Sequence, residues 1–145
     1  MFTEELAATL NALVVPGKGI LAADESTNTI AKRLKSIKME NTEENRQKYR
    51  ELLFTTPGLN DYINGVILFE ETLGQSTRDG VPFAKYLMDQ GIVPGIKVDK
   101  GLVEIPGTEG EMVTEGLDGL KARLEGYKAQ GARFAKWRNV ISISD

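Results

Sequence analysis

A chain of 145 residues with 41% hydrophobic and 27% charged side chains has room for one ordinary core and lies in the globular range, which sets disorder aside. Its 18 basic and 21 acidic side chains leave a net charge of −3, too small and of the wrong sign to draw a nucleic acid or an anionic membrane through bulk electrostatics. Cysteine and histidine are both absent, which excludes disulfides, thiol nucleophiles and the commonest metal ligand, and leaves acid–base work to carboxylates, lysines or tyrosines.

The first stretch, MFTEELAATL, carries early carboxylates and no basic leader region, so it does not read as a signal peptide, and no apolar run reaches membrane-spanning length. The expectation is a soluble cytoplasmic protein. Thr3 is a plausible N-cap for an amphipathic helix with Leu6, Leu10, Leu13 and Val14 at helical spacing, ended by Pro16-Gly17-Lys18-Gly19. GILAAD, Gly19 to Asp24, is a short apolar strand closing on a carboxylate, and TIAKRLKSI after it is helical. Asn41 with Glu44 three residues on predicts a capped start for the helix NTEENRQKYRELLF, whose apolar side is Tyr49, Leu52 and Leu53.

Pro57-Gly58 and Asn60-Asp61 mark a turn, and YINGVILFEE, Tyr62 to Glu71, is the second strand. GQSTRDG reads as loop, Pro82 opens a short helix stopped by Gly91, and IVPGIKVDKG, Ile92 to Gly101, is the third strand. IPGTEGEMVTEG reads as a Gly-rich loop before a helix with Leu117, Leu120, Leu124 and Tyr127 on one side and Gly131 as its stop. ARFAKWRNVISISD supplies a fourth strand. Strands alternating with helices predict an α/β fold with a parallel sheet. No dinucleotide or Walker-type glycine motif is present, and GKG at Gly17 to Gly19 precedes a strand rather than a helix.

The charged residues cluster at the carboxyl ends of these strands: Asp24 on the first, Glu70 and Glu71 on the second, Lys97 and Asp99 on the third, Lys136 and Arg138 on the fourth. That is where ligands bind in parallel α/β sheets and barrels. Glu70, Glu71 and Lys100 also read as the start of solvated loops, and Asp24 as a helix N-cap with Ser26 and Thr27 following. Lys136 and Arg138 fit a bland reading least, because two cations share one face of an apolar strand; either a salt bridge to Asp24 or Asp99 satisfies them, or an anionic ligand does. Several convergent cations with one carboxylate suit a phosphorylated metabolite. A lysine in an apolar strand could also serve as a Schiff-base nucleophile.

GILAADEST, NTEENRQKYRELL, GVILFEETL, GIKVDKG, TEGLDGL and FAKWR, in this order and spacing, resemble the class I fructose-1,6-bisphosphate aldolases from about Ala12 to Val140. The resemblance implies that residues 1–145 are strands one to four of a single TIM (β/α)8 barrel domain, with no second domain. It implies a metal-independent, cofactor-free glycolytic lyase whose Schiff-base lysine lies on strand six, beyond Asp145. This chain alone is then expected to be inactive. By the same resemblance, Asp24 assists C3–C4 cleavage and Lys136 handles protons beside the Schiff base rather than acting as the nucleophile. Lys97, Arg138, Ser26, Thr29, Arg33 and Arg46 then contact the substrate or its phosphates; Thr29 stands where many relatives have serine. The implied partners are a phosphorylated sugar, the C-terminal half of the barrel and, when complete, further copies in a homo-oligomer. The alternative is a non-catalytic half-barrel that binds phosphorylated sugars or a complementary chain.

Overall fold

The computed structural model describes residues 2–141 and 143. Its central sheet holds four parallel strands, β1 (Gly19–Ala23), β2 (Ile63–Leu68), β3 (Val93–Lys97) and β6 (Phe134–Lys136), in the spatial order β1-β2-β3-β6. Between β3 and β6 the chain forms an antiparallel hairpin of β4 (Gly101–Glu104) and β5 (Met112–Glu115). The described helices are α1 (Phe2–Leu13), α2 (Thr27–Ser36), α3 (Glu43–Phe54), α4 (Leu59–Tyr62), α5 (Glu70–Leu73), α6 (Phe83–Asp89) and α7 (Leu120–Ala129).

The period of two along each strand separates the faces of the sheet. Ala23, Leu68 and Ile96 are register partners across β1, β2 and β3, and with Val66 and Val98 they are buried against α3, α6 and α7. Phe54 of α3 meets Phe83 of α6 edge to face at 5.2 Å, which ties two covering helices together over this core. The opposite face carries Gly65, Gly95 and Phe134, followed toward the carboxyl ends by Lys97 and Lys136, which are register partners.

Glycine is required on that second face. A Cβ at Gly95 would lie 2.5 Å from Cε1 and Cε2 of Phe134, and one at Gly65 would lie 2.7 Å from Cδ2 of Leu13. Gly95→Ala is therefore expected to lower stability by about 3 kcal/mol through overpacking. Gly19→Ala, where nothing lies within 4 Å of the added carbon, should change it by less than about 0.5 kcal/mol. Denaturant midpoints of the two variants at constant slope check this.

Several sequence expectations are corrected. Residues 105–116, expected as loop, hold the turn and second strand of the β4–β5 hairpin, in which Val103 pairs with Val113. β2 ends at Leu68, and Glu70 and Glu71 open α5 instead of closing the strand. β6 has only three residues, so Arg138 lies past the strand rather than in its middle. Thr3 lies inside α1, which starts at Phe2. Leu6 and Leu10 are exposed, because spacing shows that a helix face is apolar but not that anything covers it. Thr42 rather than Asn41 caps α3, its hydroxyl accepting from the Asn45 amide at 3.2 Å.

Candidate active site

β1 and β6 are the two edges of the sheet, three strand spacings apart. In a flat sheet that is roughly 14 Å. Yet Lys136 Nζ donates to Asp24 Oδ2 at 2.6 Å, from the end of β6 to the residue after β1. The contact requires a sheet curled with this face concave, as in a closing barrel. Asp24 is buried, and Lys136 is about one-third exposed, so the pair sits at the mouth of the concavity.

Lys97, beside Lys136 in the register, has a counter-charge of its own: Nζ lies 2.8 Å from Asp99 Oδ2 and donates to the Asp99 carbonyl at 2.8 Å. Arg138 Nη2 approaches the same carboxylate oxygen at 3.6 Å. Alternating carboxylates and cations let three cations share one end of a sheet, where like charges side by side would repel. Both salt bridges that the sequence raises for Lys136 and Arg138 are thus present. Among the described residues, no group of three His, Cys, Asp or Glu side chains converges as a metal site, and no helix is long and apolar enough to cross a membrane.

Behind Asp24 lies an ion-pair network that sequence reasoning missed. Arg50 of α3 is 2% exposed; Nη1 donates to the Glu25 carboxylate and Nη2 to the Glu25 carbonyl at 2.8 Å. Arg33 of α2 holds the other Glu25 oxygen at 3.0 Å and donates to the Tyr49 hydroxyl at 3.0 Å. Burial pushes the Glu25 carboxyl up, but the Arg50 hydrogen bond and the charges of Arg50 and Arg33 more than offset it and hold the group below its ordinary value. The signal lay in the spacing of Arg46, Arg50 and Phe54, one stripe of α3 that turns inward, while the expected apolar residue Leu52 faces solvent.

An apolar cavity of about 440 Å³, lined by Phe2, Leu6, Leu124 and Tyr127 among others, opens between α1, α7 and β6 and includes none of these charged site residues. The charged cluster at the carboxyl ends of the strands thus lies apart from this cavity. Residues 5–145 match the sequence profile of the family described as fructose-bisphosphate aldolase class-I.

The chain belongs to the class-I fructose-bisphosphate aldolase family.

It is 66% identical to a protein named probable fructose-bisphosphate aldolase class 1 from Xanthomonas campestris, over all of this chain and 43% of that protein. It is 59% identical to the cytoplasmic isozyme of Spinacia oleracea, over 98% of this chain and 40% of the relative. The aldolase of Plasmodium falciparum, solved in a complex with TRAP and a small-molecule inhibitor, superposes with a TM-score of 0.93 at 60% identity, over 97% of this chain and 41% of that one. The chain thus spans less than half the length of the relatives it matches. Its fold is α/β, part of an aldolase TIM barrel.

The remaining residues marked by the aldolase resemblance fall in two places. Ser26 is the N-cap of α2, and its hydroxyl shares a 3.2 Å hydrogen bond with that of Thr29, one turn before Arg33. Arg46 is engaged elsewhere: Nε and Nη2 grip Glu71 at 2.8 and 2.6 Å, and Nη1 donates to the carbonyl and side chain of Asn41, each at 3.1 Å. Glu70 accepts from Tyr127 at 2.6 Å and from Lys100 at 3.2 Å, locking α5 to α7 and to the residue before the hairpin. The Tyr127 hydrogen bond, with Lys100, holds Glu70 below its ordinary value, while burial and the same bond push the Tyr127 phenol up.

Proposed function

We propose that this chain is the first part of a single aldolase barrel domain that cleaves fructose 1,6-bisphosphate to glyceraldehyde 3-phosphate and dihydroxyacetone phosphate. The observation that carries this reading is the Lys136–Asp24 contact across the concave face, with Lys97 and Arg138 beside it. In it, a lysine from a later strand forms the Schiff base with the C2 ketone. Asp24 orients the C4 hydroxyl and accepts its proton as the C3–C4 bond breaks. Lys136 gives a proton to the C2 hydroxyl of the carbinolamine, so that it leaves as water when the Schiff base forms, and takes one from the attacking water when the Schiff base is hydrolysed. Lys97 and Arg138 hold substrate oxygens, and Ser26, Thr29 and Arg33 form a phosphate-facing side of α2. Arg46 braces α3 against α5, since its guanidinium is already taken up by Glu71 and Asn41. No metal or organic cofactor enters this scheme.

The completed enzyme would work in cytoplasmic glycolysis, in keeping with relatives named as cytosolic, and assemble as a homo-oligomer. Borohydride trapping with dihydroxyacetone phosphate tests the division of labour. The chain alone should take no label, and its fusion to the remaining part of the Xanthomonas relative should be labelled outside residues 1–145 and cleave the bisphosphate. Efficient labelling of the lone chain at Lys136 would overturn the proposal. A correctly folded fusion that binds phosphate but neither labels nor cleaves would favour the non-catalytic half-barrel.

A further inference from the structure

Asp99 follows β3 by two residues, and its side chain is 0% exposed. Neither of its carboxylate oxygens accepts a hydrogen bond from the described residues. The hydrogen bond of Lys97 goes to the Asp99 backbone carbonyl, so the buried charge is balanced only by the Lys97 ammonium at 2.8 Å and the Arg138 guanidinium at 3.6 Å. A carboxylate buried in this way is costly unless its cations are held against it. Arg138 lies past β6, beyond the reach of sheet register. Its backbone carbonyl is fixed by the Thr114 hydroxyl of β5 at 2.6 Å, while its guanidinium meets only Asp99 and makes no hydrogen bond to the described protein. The hairpin thus sets the backbone of Arg138, Asp99 sets the direction of its charge, and the N–H donors of the guanidinium are left open.

We propose that Asp99 is a positioning residue of the anion site: it keeps Lys97 and Arg138 side by side with open donors facing the concavity, where substrate oxygens complete them. This rests on the proposed aldolase reading of the site. Asp99 itself need not touch the substrate. Without its charge the two cations repel each other, and Arg138, half in solvent, swings away.

The test uses the full-length barrel carrying this segment, as wild type and with Asp99→Asn. In the variant, KM for fructose 1,6-bisphosphate and the dissociation constant of inorganic phosphate, measured by direct titration, should each rise about tenfold, with kcat changed less than about threefold. Unchanged or tighter binding, or a fall confined to kcat, would overturn the proposal. If Asp99→Asn does not fold, the wild-type protein decides: the Arg138 Nε–H resonance should show restricted motion before any ligand is added, and free rotation there overturns the proposal. Wild type without cleavage activity would sink the aldolase reading and not this assignment, since phosphate affinity and Arg138 order are read independently of turnover.

Discussion

Replacing Lys136 with Met in the completed barrel is expected to lower kcat for fructose 1,6-bisphosphate cleavage by about 10³-fold, within the range lost with a positioned acid–base group. Methionine fills much of the same space but has no proton to give. It also leaves Asp24 without the ammonium at 2.6 Å from its carboxylate, so under the proposed mechanism the second group loses its orientation together with the first. The two effects share one contact, so Asp24→Asn and the double variant should each fall about as far as Lys136→Met, with little further loss on combination. Lys48→Met, which removes only the exposed pair with Glu44, should leave kcat within about twofold. Steady-state kinetics on the four proteins decide the matter, and a drop below tenfold for Lys136→Met would remove that lysine from the proton path.

The sequence revealed much of this site because the strands end on charges, and charges at strand ends stand out against aliphatic runs. Asp24, Lys97, Lys136 and Arg138 could be picked out and placed in one region from alternation alone. Their pairing was only one of two readings, since a strand pattern carries no information on sheet curvature. It is the curl of the sheet that brings Lys136 from one edge to Asp24 at the other. The β4–β5 hairpin was hidden by its glycines, which read as loop although Gly101, Gly107, Gly110 and Gly116 sit at positive φ in and around the turn. Arg50 was hidden for a different reason. A buried arginine violates the expectation that apolar residues mark the inward side of a helix, so Tyr49, Leu52 and Leu53 drew attention from the stripe that faces inward. Arg46, assigned to the substrate through resemblance, is held by Glu71 and Asn41, a pairing that the sequence pattern did not reveal.

Arg50→Met should be the most destabilising single change near the site, by about 3 kcal/mol near neutral pH. The methionine can pack beside Phe54, but the buried face of α3 then presents nothing to the Glu25 carboxylate or to its backbone carbonyl, both of which Arg50 grips. Arg33 remains on one oxygen, although it is more than half exposed and so compensates little. The pH dependence identifies the cause. Glu25 titrates below its ordinary value when folded, so its contribution to stability is complete above the unfolded-state pKa and is lost as pH falls through the folded one. Without Arg50 the lowering shrinks, because burial is then opposed by a backbone hydrogen bond and the exposed Arg33 but not by the buried guanidinium. The deficit of the variant should therefore be largest near neutrality and should narrow through the acid range as Glu25 protonates in both proteins. Arg50→Lys, which keeps the charge but not the two-handed grip, should fall between the two. A deficit for Arg50→Met that is independent of pH would assign the loss to packing alone. A narrowing deficit would show that α3 holds the turn after Asp24 by charge, which places a stability determinant one residue from the Lys136–Asp24 contact.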